Sequence, residues 1–457
     1  MADVGSALAD VVGAEHVLSG EEISADYGGD EALGVAPQPP AFVVRPETTE
    51  QVAGVLRVAG EHGLAVTPRG SGTGLSGGAV PVPGGLVLSL ERMNRVLEID
   101  TANHVAVVQA GVTLGELDRL TAEAGLIYPV FPGESSASIG GTVSTNAGGM
   151  HAVKYGVTRH QVLGLEAVLA GGEVIRTGGR YVKTSTGYDL TQLIVGSEGT
   201  LAVVTEATLR LRPRAAHQAS VLAPFSSLRE VTAAVPKLVG SGLDPLILEY
   251  VDMLAMAAIT ANADVDLGVP EQVRQTTQAY LIVTLENRSA ERLEADIEAL
   301  GGLLTELGAA DVYVLESNAA RELITAREKA FWAAKSAGAD AIVDAVIPRA
   351  DLADFFEAVG GIGERRGTLI VGCGHAGDGN VHLSVFQPDP EKLTAVLREI
   401  FTEAMGRGGA ISGEHGIGRE KRPYFLDLED PVKLRLMRQI KQVFDPQGIL
   451  NPGVLFD

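Results

Sequence analysis

The stretch Gly374-His375-Ala376-Gly377-Asp378-Gly379-Asn380-Val381-His382 holds two imidazoles on either side of an Asp-Gly pair. Asp-Gly is a strong signal for a two-residue hairpin turn. With Asp378 and Gly379 as the turn, Gly377 faces Asn380, Ala376 faces Val381 and His375 faces His382. Directly opposed Cβ atoms lie about 4.5–5.5 Å apart, close enough for both rings to share one ion. A second stretch, Ser412-Gly413-Glu414-His415-Gly416-Ile417-Gly418, adds a carboxylate and a third imidazole. On a strand, Glu414 and His415 would point to opposite faces. Their flanking glycines favour a loop, in which both can reach one site. His375, His382 and Glu414 then make a three-ligand set with coordination positions left open. From these residues alone, a cross-strand histidine pair without metal and a solvated Glu-His pair in a loop remain alternatives.

Two glycine-dense stretches carry a different chemistry. Pro68-Arg69-Gly70-Ser71-Gly72-Thr73-Gly74-Leu75-Ser76-Gly77-Gly78 partly imitates a dinucleotide fingerprint. A Rossmann loop must open an amphipathic helix, however, and Leu75 to Pro81 cannot sustain one. The glycines still let backbone N–H groups converge on an anion, with Ser71, Thr73 and Ser76 as hydroxyl donors. A pair of tight turns is the plainer alternative. The second stretch, Gly133 to Gly149, again offers small residues and backbone donors. Two such stretches fit a cofactor threaded along backbone.

Composition narrows the classes. With 457 residues, two or three packed domains are expected. A formal net charge of −22 argues against a nucleic-acid partner, whose phosphates need cations. Cys373 is the only cysteine, which excludes an internal disulfide and a four-thiolate iron–sulfur site within this chain. Residues 1–20 do not read as a signal peptide, and no run of 18 apolar residues predicts a membrane span. A cytoplasmic protein is expected, with peripheral attachment to the inner face of the membrane left open.

The elements that must position these residues follow from periodicity. Ala41–Val44, a helix from a capped start near Thr48 to His62 with Gly63 as its stop, and Leu64–Thr67 form a β-α-β opening. Further strands are expected at Leu86–Leu90, Arg95–Ile99 and Val105–Ala110. A helix follows at Thr113–Ala124, then a hairpin of Leu163–Leu169 and Glu173–Arg176, and a strand within Gly199–Leu211. Beyond Arg214 the pattern changes. Helices are expected near Ser227–Gly240, Glu291–Leu307, Asn318–Lys335 and Ala350–Gly360, with strands near Tyr280–Glu286 and Ala341–Val346. This is an α+β arrangement without internal repeats.

PRGSGTGLSGG, PGESSASIGGTVSTNAGG and IVGSEGTLAVVTEATLRL resemble the FAD domain of the vanillyl-alcohol oxidase/p-cresol methylhydroxylase superfamily. Within it, the chain is most similar to the glycolate oxidase flavin subunit and the D-lactate and D-2-hydroxyglutarate dehydrogenases, from about Ala41 to Phe456. The resemblance implies a two-part FAD-binding domain at residues 1–214, an α+β, ferredoxin-like substrate cap at 215–425, and a C-terminal segment at 426–457 that returns to the FAD site. It implies that Pro68, Arg69, Gly70, Ser71, Gly72, Thr73, Gly74 and Ser76 hold the FAD pyrophosphate region. Pro132, Gly133, Ile139, Gly140, Gly141, Ser144 and Asn146 would line the flavin and ribityl chain, Glu198, Gly199 and Val203 the adenine side, and Asn451 the isoalloxazine. Some relatives link FAD covalently through a histidine in the first loop. No histidine lies between His62 and His104, so non-covalent FAD is implied.

The same resemblance makes His375, His382 and Glu414 ligands of a divalent ion, zinc first with manganese or iron as alternatives, and His415 the general base. It implies that a 2-hydroxy acid chelates the ion, His415 takes the hydroxyl proton and hydride passes to flavin N5. Arg327 matches a position whose arginine binds the substrate carboxylate, a task suited to a guanidinium fork. Hydroxyglutarate enzymes add a threonine and a lysine for the distal carboxylate. Phe331 and Ile342 stand at those places here and favour D-lactate, glycolate or a related mono-acid with an apolar tail. Electrons would pass to a quinone, an electron-transfer flavoprotein or an iron–sulfur subunit, and a homodimer is left open. Two other readings are a non-catalytic flavin subunit of an oxidase complex and a sugar or aldonolactone oxidase on the same fold.

Overall fold

The computed structural model describes residues 2–263 and 267–456. The β-α-β opening forms as the caps dictate. The Thr48 hydroxyl accepts the Gln51 N–H at 3.3 Å, helix Thr49–His62 follows, and Gly63 ends it in the left-handed region with φ 61°. Strands Phe42–Val44 and Val66–Arg69 both run parallel to Leu86–Ser89 between them, and Val17–Ser19 adds an antiparallel edge. Near the C-terminus the chain comes back to this sheet. Val66 N–H donates to Ile449 O and Asn451 N–H to Val66 O, both at 2.8 Å.

A five-stranded antiparallel sheet lies next in sequence, in the order Val96–Asp100, Val105–Gln109, Val203–Arg210, Val162–Val168, Val174–Gly178. Its core takes in Ile139 and Val143 from the short helix Ile139–Thr145, which lies inside the second glycine-rich stretch.

The third sheet has seven antiparallel strands, in the order Tyr313–Val314, His217–Phe225, Ala279–Asn287, Ile247–Asp252, Leu369–Gly374, Asn380–Phe386, Ala341–Val346. Period-two alternation gives it two distinct faces. Tyr250, Val343, Val381 and Leu383 turn toward helices Leu228–Val239, Leu352–Arg366 and Pro390–Gly406 and form the largest core. Glu249, Asp344, Cys373 and His382 lie on the alternate positions. The expected helix over Asn318–Lys335 is instead two, Ser317–Glu328 and Ala330–Ser336, interrupted where Lys329 leaves helical geometry at ψ 7°. No Gly or Pro marks the break, so the sequence carries no signal for it. Among the described residues no helix is long and apolar enough to cross a membrane.

Candidate active site

The His375–His382 connection departs from the expected turn. Strand Leu369–Gly374 ends before His375, a short 3₁₀ turn covers Ala376–Asp378, and Gly379 takes φ 76°. His382 therefore pairs with Cys373 and not with His375. The wider turn is favoured because His375 O accepts the N–H groups of both Asp378 and Asn380, while Arg349 Nε donates to Gly377 O. The imidazoles still meet, edge to face, with centroids 4.9 Å apart. Glu414 Oε1 lies 3.0 Å from His375 Nε2 and 3.1 Å from His382 Nε2. One ligand atom from each of the three falls within 4.8 Å of the others. The His415 ring stacks on His382 at 5.0 Å, nearly coplanar.

Two buried carboxylates that the motifs do not contain organise this cluster. Asp344, wholly buried, accepts the N–H groups of Gly413, Glu414 and His415, the Ser412 hydroxyl, the Asn380 amide and the Lys421 ammonium. Burial alone would raise its pKa, and its interactions with the His415 ring, which would be charged only at acid pH, and with the Lys421 ammonium hold it well below the ordinary carboxylate range. Glu249, also wholly buried, receives His375 Nδ1 at 2.5 Å and faces Arg327 Nη2 at 2.7 Å. The Arg327 contact lies off the line of a hydrogen bond. Among the described residues Arg327 Nε and Nη2 therefore have no acceptor.

The donor set fits a cation. Three carboxylates, the buried Glu249 and Asp344 and the partly buried Glu414, face two buried cations, Arg327 and Lys421. Burial would depress the His375 pKa, yet Glu249 and Glu414 lift it well above its usual value, so the two carboxylates favour positive charge at this point, whether from a proton or from an ion. Two imidazole nitrogens and a carboxylate oxygen are borderline ligands suited to zinc or a similar divalent ion. His415 behaves oppositely: burial pushes its pKa down to about 4, opposed by Asp344, and leaves the ring neutral at pH 7.

A cavity of about 680 Å³ joins this cluster to the glycine-rich stretches. Its lining includes Pro68 to Gly74, Ser76, Pro132, Gly133, Gly140, Gly141, Ser144, Glu198, Gly199, Val203, Asn451, Arg327, His375, His382, Glu414 and His415. Ile139 and Asn146 are not in that lining. Ile139 is consumed by the core, and Asn146 Oδ1 accepts the Arg159 N–H behind the wall. The cavity fits a large flat cofactor with many acceptors, because small residues and backbone surround it. Asn451 Oδ1 is a buried acceptor without a partner among the described residues.

Three expected cofactor contacts have other engagements. Arg69 donates to Gly29 O and lies over the Tyr27 ring. Ser76 Oγ donates to His415 O and Gly416 O at 3.1 and 3.0 Å. The Glu198 carboxylate accepts Ile417 N–H at 2.8 Å and Gly418 N–H at 2.7 Å. It thereby ties the glycine-rich side of the cavity to the loop that carries His415.

Residues 214–455 match the family described as FAD linked oxidases, C-terminal domain, and residues 40–178 match the family described as FAD binding domain. The chain belongs to the FAD-linked oxidases. An FAD-linked oxidoreductase of Mycobacterium tuberculosis is 58% identical over 456 residues, covering 100% of this FAD-linked oxidase and 99% of the relative. A protein of Anaerostipes hadrus called D-lactate dehydrogenase is 37% identical over 458 residues, covering 96% and 94% of the two chains. The solved structure of p-cresol methylhydroxylase with substrate bound superimposes with a TM-score of 0.81 at 19% identity, covering 100% of this chain and 97% of that one. At that identity the likeness concerns the fold.

Glu249, Asp344 and Lys421 are the site residues that the sequence reading missed. The signal was present for the two acids: each is a lone carboxylate inside an apolar strand, Leu-Ile-Leu-Glu-Tyr-Val and Ile-Val-Asp-Ala-Val. A charge there must be paired or costs several kcal/mol.

Proposed function

We propose that this FAD-linked oxidase oxidises a D-2-hydroxy acid with a single carboxylate, D-lactate or a relative with an apolar tail, to the 2-oxo acid, with a divalent cation held by His375, His382 and Glu414. The observation that carries this reading is the convergence of those three ligand atoms, His415 and the unpartnered N–H groups of Arg327 in one cavity. FAD would supply a two-electron acceptor, and the cation would supply Lewis acidity toward the hydroxyl and carboxylate oxygens.

The chain's own residues do the rest. Arg327 binds the substrate carboxylate through Nε and Nη2, held in place by Glu249. His415, neutral and stacked on His382, takes the hydroxyl proton. Asp344 orients the His415 loop through three backbone N–H groups. Loss of the hydroxyl proton and of hydride from C2 leaves the 2-oxo acid. Non-covalent FAD agrees with the lack of a histidine between His62 and His104. The printed name of the Anaerostipes hadrus relative supports the substrate class, and the metal cluster disfavours a purely structural flavin subunit.

Anaerobic addition of D-lactate is the test. Loss of the oxidised-flavin absorbance, abolished by EDTA and restored by zinc or manganese, is the expected result. No bleaching with any 2-hydroxy acid, or turnover indifferent to chelation, would overturn the proposal.

A further inference from the structure

The strands that lead to His375 and carry His382 continue past the cluster as a ladder that is apolar except for Ser384. On the cavity-side face of the seven-stranded sheet, the register puts Cys373, His382 and Asp344 in one row. Two residues along each strand, the next row is Val371, Ser384 and Ile342, and beyond it Leu369 pairs with Phe386. Each step advances about 6.6–6.8 Å. All five of these outer residues line the cavity. The facing wall is Phe331 and Trp332, packed edge to face at 5.3 Å on helix Ala330–Ser336. Leu369 and Trp332 are 52% and 42% exposed, so the ladder ends at an apolar rim open to water.

The charges nearby are already engaged. Lys335 lies over the Trp332 ring at 5.1 Å and pairs with Glu31 at 2.7 Å. Arg327 lies at the other side of the metal row, against Glu249, where the proposed reading gives it the first carboxylate. A second carboxylate on the substrate would therefore meet Val371, Ile342 and Phe386 with the Ser384 hydroxyl between them and no cation, an unfavourable burial. A methyl group, as in lactate, would leave most of the ladder uncovered.

We infer that the preferred substrate is a D-2-hydroxy acid whose apolar side chain, roughly four to six carbons or a phenyl ring, runs along this ladder over about one to two steps. The inference rests on the reading that His375, His382 and Glu414 hold the hydroxy-acid end. Ile342, Val371 and Phe386 then set specificity by removing apolar surface from water.

The experiment is anaerobic flavin reduction of the metal-loaded holoenzyme with glycolate, D-lactate, D-2-hydroxybutyrate, D-2-hydroxyhexanoate and D-2-hydroxyglutarate. The apparent second-order rate constant should rise about fourfold per added methylene up to hydroxyhexanoate, with hydroxyglutarate well below it. Phe386→Ala should lower the hydroxyhexanoate-to-lactate ratio about tenfold, and Ile342→Lys should shift preference toward hydroxyglutarate. Ratios within one preparation separate specificity from loss of folded protein. A rate that is highest for glycolate or lactate, or for hydroxyglutarate, overturns the ladder while sparing the hydroxy-acid chemistry. Absence of bleaching by all five acids overturns the underlying reading itself.

Discussion

At the residue scale, the division of labour among the three histidines follows from what each ring touches. His375 lies between two carboxylates, Glu249 and Glu414, whereas His415 faces Asp344 from 3.9 Å within a partly buried loop. His415→Gln should lower the rate of flavin reduction by about 10²–10⁴-fold, the usual loss for a general base. Metal and flavin content should stay at one per chain, as metal analysis and the visible spectrum would report. Equal loss of metal would instead make His415 a ligand. Arg327→Lys keeps a positive charge opposite Glu249 but loses the planar fork. The expected cost is about 10- to 100-fold in kcat/KM, equivalent to the about 1.5–3 kcal/mol of a charge-assisted hydrogen bond. KM should carry most of that change. An unaltered KM for D-lactate would argue that Arg327 serves Glu249 alone.

At the element scale, the sequence made the local pieces readable and left their junctions hidden. Helix Thr49–His62 could be drawn from Thr48 and Gly63, and strand Ala341–Val346 from its run of β-branched and small residues. The His375, His382 and Glu414 grouping was readable because its residues sit in two short motifs. The His375 turn was misjudged because Asp-Gly specifies a tight turn only when the partner strands allow it. Here His375 O gathers two N–H groups and widens the loop. The resemblance set Glu198 on the adenine side of the cofactor; the residue lines the cavity, and its carboxylate reaches across to Ile417 and Gly418. That contact depends on a chain separation of over 200 residues, which no local pattern encodes. Glu198→Gln puts an N–H donor where an acceptor is needed. The amides of Ile417 and Gly418 should then exchange hydrogen about tenfold faster or more, and flavin reduction should slow while FAD stays bound. Unchanged exchange at those two amides would show that the loop is held by Asp344 without help.

At the scale of the whole molecule, the cavity is walled by the three larger sheets or the loops between their strands, so a bound cofactor should stabilise the protein as a unit. At FAD concentrations 100-fold above Kd, the expected gain is about 2.7 kcal/mol, read as a rise in the unfolding midpoint of deflavinated protein titrated with FAD. Heat denaturation should release all the flavin into the supernatant, and flavin that stayed with the precipitated chain would reveal a covalent link. The loop bearing His415 has a further consequence. Asp344 grips it from the seven-stranded sheet, and Ser76 and Glu198 grip it from the opposite side. Any swing that parts the two sides must tear the loop from one set of anchors. Entry of substrate by wholesale opening would therefore dismantle the proton acceptor, and the cheaper route for traffic is the greasy doorway beside Trp332, with the catalytic frame left shut through every turnover.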